Sequence, residues 1–192
     1  MQSVLITLTA PSCAGKSFLF SYIRDVAKLS CLISTTTRPI RNGESEGIDY
    51  HFISEEHSFE VEDRDGFAEL CEYRGFRYGV TKEEFHSKLK GGLAFLIVEP
   101  SGIDHYVKPA LDIGAKHFKV WIDVPMEVRL ERMKERVSTD LSSSAKLHKD
   151  RLLAMQTVEA GWHDLVKWDL ELSGEDTPQE NLVKILSGIK NA

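Results

Sequence analysis

The sequence predicts an α/β protein in which helices cover both faces of a parallel sheet. Three observations support this prediction: short apolar runs recur along the chain, amphipathic helical patterns separate them, and one polar stretch interrupts the alternation. Strands that are buried on both faces must be continuously apolar, and helices supply the connections between parallel neighbours. The interruption indicates an inserted lobe, and a chain of 192 residues can bury a sizeable core around such a sheet.

The predicted strands are the apolar runs at 4–8, 31–34, 93–99, 118–124 and 168–173. The first run is short and rich in β-branched residues, as expected of a buried strand. Helical patterns occupy the stretches at 81–91, 101–114, 125–137, 145–158 and 177–189. Three of these helices are predicted to have N-caps whose side-chain oxygens accept a backbone hydrogen bond, at Thr81, Ser101 and Thr177.

The first strand runs into a turn and a helix in the sequence VLITLTAPSCAGKSFLF. Pro11 blocks continuation of the strand. From Lys16 onward, apolar side chains recur at helical spacing, at Phe18, Leu19, Tyr22, Ile23 and Val26. The backbone N–H groups of such a loop, together with the N-terminus of the following helix, form a site that favours anions.

The spacing within this loop matches the phosphate-binding loop in its looser form, in which Ala replaces the first Gly. It predicts an ATP-binding segment formed by Ala10, Pro11, Ser12, Cys13, Ala14, Gly15, Lys16 and Ser17. Lys16 is expected to reach the β- and γ-phosphates, and the Ser17 hydroxyl to bind Mg²⁺. An Ala at positive φ would cost roughly 1–2 kcal/mol, so we expect Ala10 at negative φ. The alternative is a plain strand–helix turn with a surface lysine.

The composition excludes several classes of protein. The formal charge of −6 does not favour wrapping on nucleic acid, although local clusters can still bind small anionic substrates. The three cysteines have no paired spacing, which indicates a reducing compartment, and the seven histidines show no metal-ligand spacing. No leader is evident, and no apolar stretch reaches the roughly 18 residues of a membrane span. We therefore predict a cytoplasmic protein with no membrane or nucleic-acid partner.

Residues 35–80 interrupt the alternation and are predicted to form an inserted lobe of short antiparallel strands. Within it, Arg38 and Arg41 lie three residues apart, and Tyr50 and Tyr78 accompany them. Two guanidinium groups and two phenol hydroxyls suit a phosphate that is bound from several sides. A solvated basic turn is the alternative for two arginines at this spacing.

The stretches STTTRPIRNGESEGIDYHF and FAELCEYRGFRYG resemble the guanylate kinase family, and the resemblance covers nearly the whole chain. It implies a P-loop kinase core formed by 1–34 and 81–192, with 35–80 as a lobe that binds the nucleoside monophosphate (NMP). A polar cluster between two helical patterns, at about 137–148, would be the small lid. The resemblance further implies transfer of the γ-phosphoryl of ATP to GMP or dGMP, with Mg²⁺ as cofactor. The partners would be small-molecule nucleotides, and the protein a monomer or homodimer.

The resemblance also assigns roles to single residues of the acceptor site. The acceptor positions of the family, whose arginines and tyrosines bind the phosphate, are matched by Ser34, Arg38, Arg41, Tyr50 and Tyr78. Glu69 matches the carboxylate that reads the guanine ring N–H and 2-amino group. Glu99 falls where the family has an Asp near the same 2-amino group.

Three arginines match the catalytic lid positions of the family, namely Arg132, Arg136 and Arg151. The first two lie one helical turn apart, and the third lies beyond the polar cluster. With Lys16, such arginines converge on the transferring phosphoryl and neutralise the charge that is spread over its oxygens. From spacing alone, an exposed helix whose arginines alternate with glutamates is an equal alternative.

The chain departs from the family pattern at several positions. Val80 stands where the family usually has a hydroxyl that contacts the guanine 6-oxo group. We therefore expect the NMP-binding site to discriminate weakly at the 6-position of the purine. Ile97 stands where the family often has an Asp near the Mg²⁺ waters, which leaves Ser17 and the phosphates to hold the ion. Ala10 and Cys13 stand where relatives often have glycines.

Two other functions are compatible with such a chain. One is a kinase that acts on a phosphorylated ribose, as ribose-bisphosphate phosphokinase-like enzymes do, and the other is a non-catalytic binding module of the same family. The base-reading pair Glu69 and Glu99 argues against the ribose substrate. Non-catalytic modules tend to lose the loop lysine and the lid arginines, whereas this chain retains Lys16 and Arg132. We therefore predict an active nucleoside monophosphate kinase.

Overall fold

A computed structural model gives the fold for residues 2–41, 43–73, 75–90, 92–139 and 145–191. Within these ranges it describes the side chains except those of residues 73, 136–139, 145–148, 150 and 151. Among the described residues, no helix is both long enough and apolar enough to cross a bilayer.

The strands of the described chain are β1 (Val4–Thr9), β2 (Ser30–Cys31), β3 (Thr35–Thr36), β4 (His51–Phe52), β5 (Phe67–Tyr73), β6 (Phe76–Thr81), β7 (Leu93–Ile97), β8 (Lys116–Asp123) and β9 (Leu170–Ser173). The α-helices are α1 (Lys16–Asp25), α2 (Glu55–Asp63), α3 (Lys82–Leu89), α4 (Val107–Asp112), α5 (Met126–Thr139), α6 (Ala145–Gln156) and α7 (Pro178–Asn191). Short 3₁₀ helices precede α4 and follow α6.

The central sheet has five strands in the order β2-β7-β1-β8-β9. β2 pairs with β7 in parallel, and β8 pairs with β9 in parallel, with Val120 opposite Leu170. The residues of β1 are buried along its whole length, from Val4 to Thr9, as expected of a strand that is covered on both faces. The predicted α/β fold, a parallel sheet flanked by helices, is confirmed.

A second sheet has four strands in the order β4-β3-β6-β5. β5 and β6 form an antiparallel pair, and β3 adds to β6 in antiparallel orientation, but β4 lies parallel to β3. The prediction of purely antiparallel strands is therefore wrong for β4. The reason is the length of the connection, because 14 residues separate β3 from β4, whereas a hairpin turn needs only a few.

Helix α2 lies in the stretch that the sequence analysis assigned to strands. Ser54 caps the helix, since its hydroxyl accepts a hydrogen bond from the N–H of His57 (3.1 Å). Within α2 only Ser58 is buried, so the helix has no apolar stripe by which its periodicity could be recognised. Its Phe59 is covered by Arg77 of β6, whose guanidinium carbon lies 4.2 Å from the ring centroid.

Helix α1 buries a different stripe from the one that the spacing predicts. Leu19 and Ile23 are buried as expected, and Phe20 is buried with them. In contrast, Phe18 is 70% exposed and Val26 is 64% exposed. Val26 is the C-cap residue, so it lies past the regular part of the helix. Helix α1 packs against α7.

Two of the three predicted N-caps are confirmed. The Thr81 hydroxyl accepts from the N–H of Glu84 (3.2 Å). The Thr177 hydroxyl accepts from the N–H of Glu180 (3.3 Å), whose carboxylate accepts from the Thr177 N–H (2.9 Å), which completes a capping box. The prediction for Ser101 is wrong, because this residue lies inside the 3₁₀ helix that precedes α4.

The chain divides into two compact units. The first is formed by Met1–Ile6, Leu29–Leu96 and Gly102–His117, and the second by Thr7–Lys28, Ile97–Ser101 and Phe118–Ala192. The four-stranded sheet belongs to the first unit, whereas the loop after β1 and helices α1, α5, α6 and α7 belong to the second. The lobe boundaries at 35–80 stay a prediction, and the predicted lid at 137–148 lies partly outside the described residues.

Candidate functional site

The loop between β1 and α1 has the backbone of an anion-binding turn. Gly15 is the N-cap of α1 and has a φ of 92°, which a glycine adopts without strain. Ala10 does not have a positive φ, as predicted, but Cys13 has a φ of 63°. The left-handed region costs an L-residue roughly 1–2 kcal/mol, so the strain lies at Cys13 and its neighbours must hold it there.

Lys16 opens helix α1 and points back along the loop. Its Nζ lies 3.4 Å from the carbonyl oxygen of Ala10 and donates to it. Burial lowers the pKa of Lys16 below its ordinary value, while the carboxylates of Glu99 and Glu159 offset part of this shift. A desolvated ammonium that lacks a full counter-charge is ready to bind an anion. Ser17, the next residue, is exposed in the first turn of the helix.

Glu99 lies near this lysine, in the same unit, and is exposed. The carbonyl of the preceding Val98 accepts a hydrogen bond from the Thr9 hydroxyl (2.9 Å), which ties the chain before Glu99 to the end of β1. The negative charge of Glu99 raises the pKa of Lys16, against the larger effect of burial. Its role toward the 2-amino group of an acceptor base stays a prediction.

Glu159 is a residue of this site that the sequence analysis missed. It lies on a 3₁₀ turn after α6 and is 8% exposed. Its Oε2 accepts from the backbone N–H of Ser12 (2.9 Å), and its Oε1 accepts from the Ser12 hydroxyl (2.5 Å). The Ser12 N–H is therefore occupied by a carboxylate. No local pattern could reveal this contact, since 147 residues separate the two partners.

Arg132 reaches the same loop from helix α5. Its Nη1 donates to the carbonyl oxygen of Cys13 (3.2 Å), and its Nη2 donates to the carbonyl oxygen of Gly174 (3.1 Å). These bonds join Arg132 to the loop through backbone carbonyls, and its catalytic role toward the transferring phosphoryl stays a prediction. The side chains of the other two predicted lid arginines, Arg136 and Arg151, lie outside the described residues.

Apart from Glu99, the predicted acceptor residues lie in the first unit, and three of them form a cluster. Arg38 is 6% exposed, and its guanidinium carbon lies 5.3 Å from the ring centroid of Tyr50. The rings of Tyr50 and Tyr78 meet edge to face with centroids 6.0 Å apart. The structure therefore brings Arg38, Tyr50 and Tyr78 together. Arg41 is exposed.

Glu44 organises this cluster, and the sequence analysis missed it. Its Oε1 accepts from Nη2 of Arg38 (2.8 Å), and its Oε2 accepts from the backbone N–H of Arg41 (2.9 Å). Burial lowers the pKa of Arg38, but the hydrogen bond and charge of Glu44 outweigh it and leave the pKa above its ordinary value. Ser34 is half-buried before β3, and its carbonyl oxygen accepts from the N–H of His51 (2.9 Å).

Glu69 is nearly buried in β5, at 9% exposure, and has two partners that the sequence did not predict. Its Oε2 accepts from the hydroxyl of Tyr106 (2.8 Å), and its Oε1 lies 3.3 Å from Nδ1 of His105. Burial, together with the neighbouring carboxylate, raises the pKa of Tyr106 well above its ordinary value. Val80 lies opposite Glu69 in the β5–β6 pair and is completely buried, so it presents no polar group there.

The side chains that the structure describes suit a cation with few protein ligands rather than a metal ion bound by several side chains. Among the residues that the structure describes, no three His, Cys, Asp or Glu side chains gather where they could hold an ion. Mg²⁺ commonly keeps several waters and takes one or two protein ligands together with substrate phosphates. The exposed Ser17 hydroxyl at the start of α1 suits such a role.

A strand, a turn with a lysine, and a helix that opens at that lysine define the P-loop class of α/β proteins. Within that class, the profile of the family described as guanylate kinase matches residues 2–176. The chain belongs to the guanylate kinase family.

Relatives at moderate identity support this assignment. The guanylate kinase of Anaeromyxobacter dehalogenans is 34% identical over 142 residues, which cover 73% of this chain and 62% of the relative. The guanylate kinase of Chlorobaculum tepidum is 31% identical over 172 residues, which cover 86% of this chain and 84% of the relative. For several other relatives, the matched part spans about half to two thirds of their length, from 48% to 66%.

The crystal structure of guanylate kinase from Anaplasma phagocytophilum has the same fold. The two structures superpose with a TM-score of 0.65 at 20% sequence identity, over 99% of this chain and 86% of that one. At this identity the likeness concerns the fold.

Gly174 is predicted to be required where the end of β9 passes the phosphate-binding loop. A Cβ at this position would clash with the carbonyl oxygen of Ala14 and with Cγ2 of Val124. We expect Gly174→Ala to lower the free energy of unfolding by about 1–3 kcal/mol, as overpacking does. Urea denaturation measures the difference. Gly92→Ala is the control because nothing lies within 4 Å of its Cβ, and equal stability of the two variants would contradict the prediction.

Tyr106→Phe is predicted to destabilise the first unit, because it leaves one oxygen of the buried Glu69 without its donor. An unsatisfied buried acceptor costs about 1–3 kcal/mol. The loss should appear in a urea titration as a lower midpoint with an unchanged slope. Tyr22→Phe is the matched control, because Tyr22 is a half-buried tyrosine on α1. This substitution should change the free energy of unfolding by less than about 0.5 kcal/mol. A similar loss in both variants would count against the role of the Tyr106 hydroxyl.

Proposed function

We propose that this chain transfers the γ-phosphoryl of ATP to GMP or dGMP. The observation that carries the proposal is the cluster of Arg38, Tyr50 and Tyr78, a second phosphate-type site on a chain that already has a P-loop. A chain with two such sites is suited to a reaction between two phosphorylated ligands. Membership of the guanylate kinase family supports the same reaction.

The donor phosphates would bind at the loop and the N-terminus of α1. An anionic ligand would stabilise the ammonium of Lys16, whose pKa is lowered by burial, because the ligand supplies negative charge in place of the hydration that burial removes. Arg132, which already contacts the loop, adds a second positive charge close by. Phosphoryl transfer depends on positioning and on such electrostatic stabilisation more than on covalent chemistry by the protein.

Mg²⁺ would be held by the Ser17 hydroxyl and by phosphate oxygens of the donor. When bound, the ion would neutralise charge on the β- and γ-phosphates. The chain's own part is to present Ser17 in the first turn of α1, one residue after Lys16, so that the hydroxyl and the ammonium address the same phosphates.

The acceptor would bind in the first unit, with its phosphate at Arg38, Arg41 and the two tyrosines. Glu69 would accept from the ring N–H and 2-amino group of guanine, held in place by Tyr106 and His105. Ser34 would supply a donor to the base. A carboxylate reader of this kind favours a guanine over a bare ribose phosphate, because the donors of the base pair with it.

The proposed reaction is tested by ADP release from ATP·Mg²⁺ with GMP, dGMP, AMP, dAMP, pyrimidine monophosphates and a ribose bisphosphate as acceptors. We expect turnover with GMP or dGMP well above the others. Turnover only with the phosphorylated ribose would contradict the base-reading role of Glu69. Nucleotide binding without turnover would identify a non-catalytic module. The cytoplasmic location and the monomeric or homodimeric state stay predictions.

Lys16→Ala should abolish most of the activity while the fold persists. Loss of one preorganised electrostatic contact typically costs about 10²–10³ in kcat. The measurement is the turnover rate beside a thermal melting curve. Lys108→Ala is the matched control, since that lysine is 86% exposed on α4 and pairs with Asp112. A folded Lys16→Ala variant with wild-type turnover would refute the assignment of the loop.

We further propose relaxed selectivity at the purine 6-position, because the completely buried Val80 offers no donor to a 6-oxo group. A mismatch between two donors costs about 1–3 kcal/mol, or roughly ten- to hundredfold in kcat/KM. The Val80→Ser variant should therefore discriminate dGMP from the 2-aminoadenine deoxyribonucleoside monophosphate more strongly than the wild type does. Equal ratios of kcat/KM in both proteins would show that Val80 only packs. The ring nitrogen of 2-aminoadenine carries no hydrogen for Glu69, which sets an upper limit on its turnover.

A further inference from the structure

Glu159 is a buried carboxylate that lies against a loop of anion-binding geometry. Both of its oxygens contact one residue, since Oε2 accepts from the Ser12 N–H (2.9 Å) and Oε1 from the Ser12 hydroxyl (2.5 Å). A negative charge so close to a phosphate site opposes phosphate binding unless it is compensated. Its presence there requires an explanation other than direct contact with the ligand.

Arg129 provides the compensation. Its Nη1 lies 3.5 Å from Oε2 of Glu159, and the two side chains are only 8% and 7% exposed. Its Nε donates to the carbonyl oxygen of Val124 (3.2 Å), so the guanidinium is anchored just before α5. The positive charge of Arg129 reduces the repulsion that Glu159 would exert on a phosphate, and leaves the carboxylate available for hydrogen bonding.

We propose that Glu159 is a positioning residue of the phosphate-binding loop. It fixes Ser12, the residue before Cys13, whose left-handed φ of 63° has to be maintained by its surroundings. On the other side, Arg132 binds the carbonyl oxygen of Cys13 (3.2 Å). Ser12 and Cys13, two successive residues of the loop, are thus held by an acidic and a basic side chain, respectively.

This arrangement separates the backbone groups that shape the loop from those that meet the ligand. The N–H of Ser12 is bound to Glu159, and the N–H of Ala14 donates to the carbonyl oxygen of Pro11 (3.3 Å). The N–H groups of Lys16 and Ser17 lie in the first turn of α1, where an α-helix offers no internal acceptor. Those groups are therefore the ones that face an anion at the helix N-terminus.

The inference rests on the proposed function, because it takes a nucleotide phosphate as the ligand of the loop. The competing explanation is an ordinary buried ion pair, in which Glu159 and Arg129 stabilise the fold and have no effect on the ligand. The two explanations differ in a measurable way. A positioning role predicts a specific loss of affinity for ATP, whereas an ion pair of the fold predicts a lower melting temperature alone.

The experiment compares Glu159→Ala, Glu159→Gln and Ser12→Ala with the wild type in the full chain. ATP affinity is measured by titration calorimetry without acceptor, and KM for ATP and for GMP by steady-state kinetics. Glu171→Ala is the control, since this exposed glutamate in the same unit pairs only with His163 among its described ion-pair partners. Melting curves are recorded for every variant.

We expect Glu159→Ala to weaken ATP binding and raise its KM by about tenfold or more, because two hydrogen bonds to a charged group are lost. KM for GMP should change less than about twofold, as for a residue outside the acceptor site. Glu159→Gln should recover most of the affinity, since its amide oxygen can accept from the Ser12 N–H and its NH₂ can donate to the hydroxyl. Ser12→Ala should show a smaller loss, and Glu171→Ala none.

Wild-type affinity for ATP in Glu159→Ala, with only a lower melting temperature, would overturn the inference. Should that variant not fold, an unchanged affinity and KM for ATP in Ser12→Ala would overturn it equally. A wild-type protein that binds no ATP would refute the proposed function, and the inference with it. A wild type that binds ATP while the variants bind it equally well would refute the inference alone.

Discussion

The ammonium of Lys16, on a half-buried side chain, is the constraint around which the loop after β1 is arranged. Burial disfavours its charged form, and the compensation it receives is incomplete, since the nearest acceptor is the carbonyl oxygen of Ala10 at 3.4 Å and the pKa stays lowered. Glu99 and Glu159 supply negative charge without a direct hydrogen bond that completes the neutralisation. The loop is therefore balanced for an additional anion, which is the electrostatic condition that a phosphate-binding site needs.

In the first unit, the buried positive charge belongs to an arginine and is compensated in a different way. Arg38 is buried beside aromatic rings, and the carboxylate of Glu44 compensates its permanent charge by accepting directly from the guanidinium. The second oxygen of Glu44 also holds the backbone of Arg41, so that one carboxylate organises both arginines. The pKa of Lys16 is lowered, chiefly by burial, whereas the pKa of Arg38 is raised because its direct pairing with Glu44 outweighs the effect of burial.

Among the predicted site residues, Lys16 and Ser17 end a contiguous loop, and Arg38, Tyr50 and Tyr78 lie within the predicted lobe. Local chemistry and the family resemblance reach these residues. The α/β fold was equally accessible because apolar periodicity is a local property. The residues that hold the site in place could not be predicted from the sequence. Glu159 lies 147 positions from Ser12, and no spacing rule joins the two residues. Helix α2 was missed for a related reason, because it buries almost nothing and carries no periodic signal.

The strained backbone at Cys13 links these observations. A residue other than glycine at a φ of 63° persists only where its neighbours over-determine the conformation. Here the preceding residue is bound through its N–H and hydroxyl to Glu159, and the carbonyl oxygen of Cys13 is bound to Arg132. A glycine at this position would need less support, because it adopts positive φ at no steric cost. The carboxylate on Ser12 and the arginine on Cys13 therefore perform together what a glycine accomplishes alone, and they connect the shape of the loop to α5 and to the turn after α6.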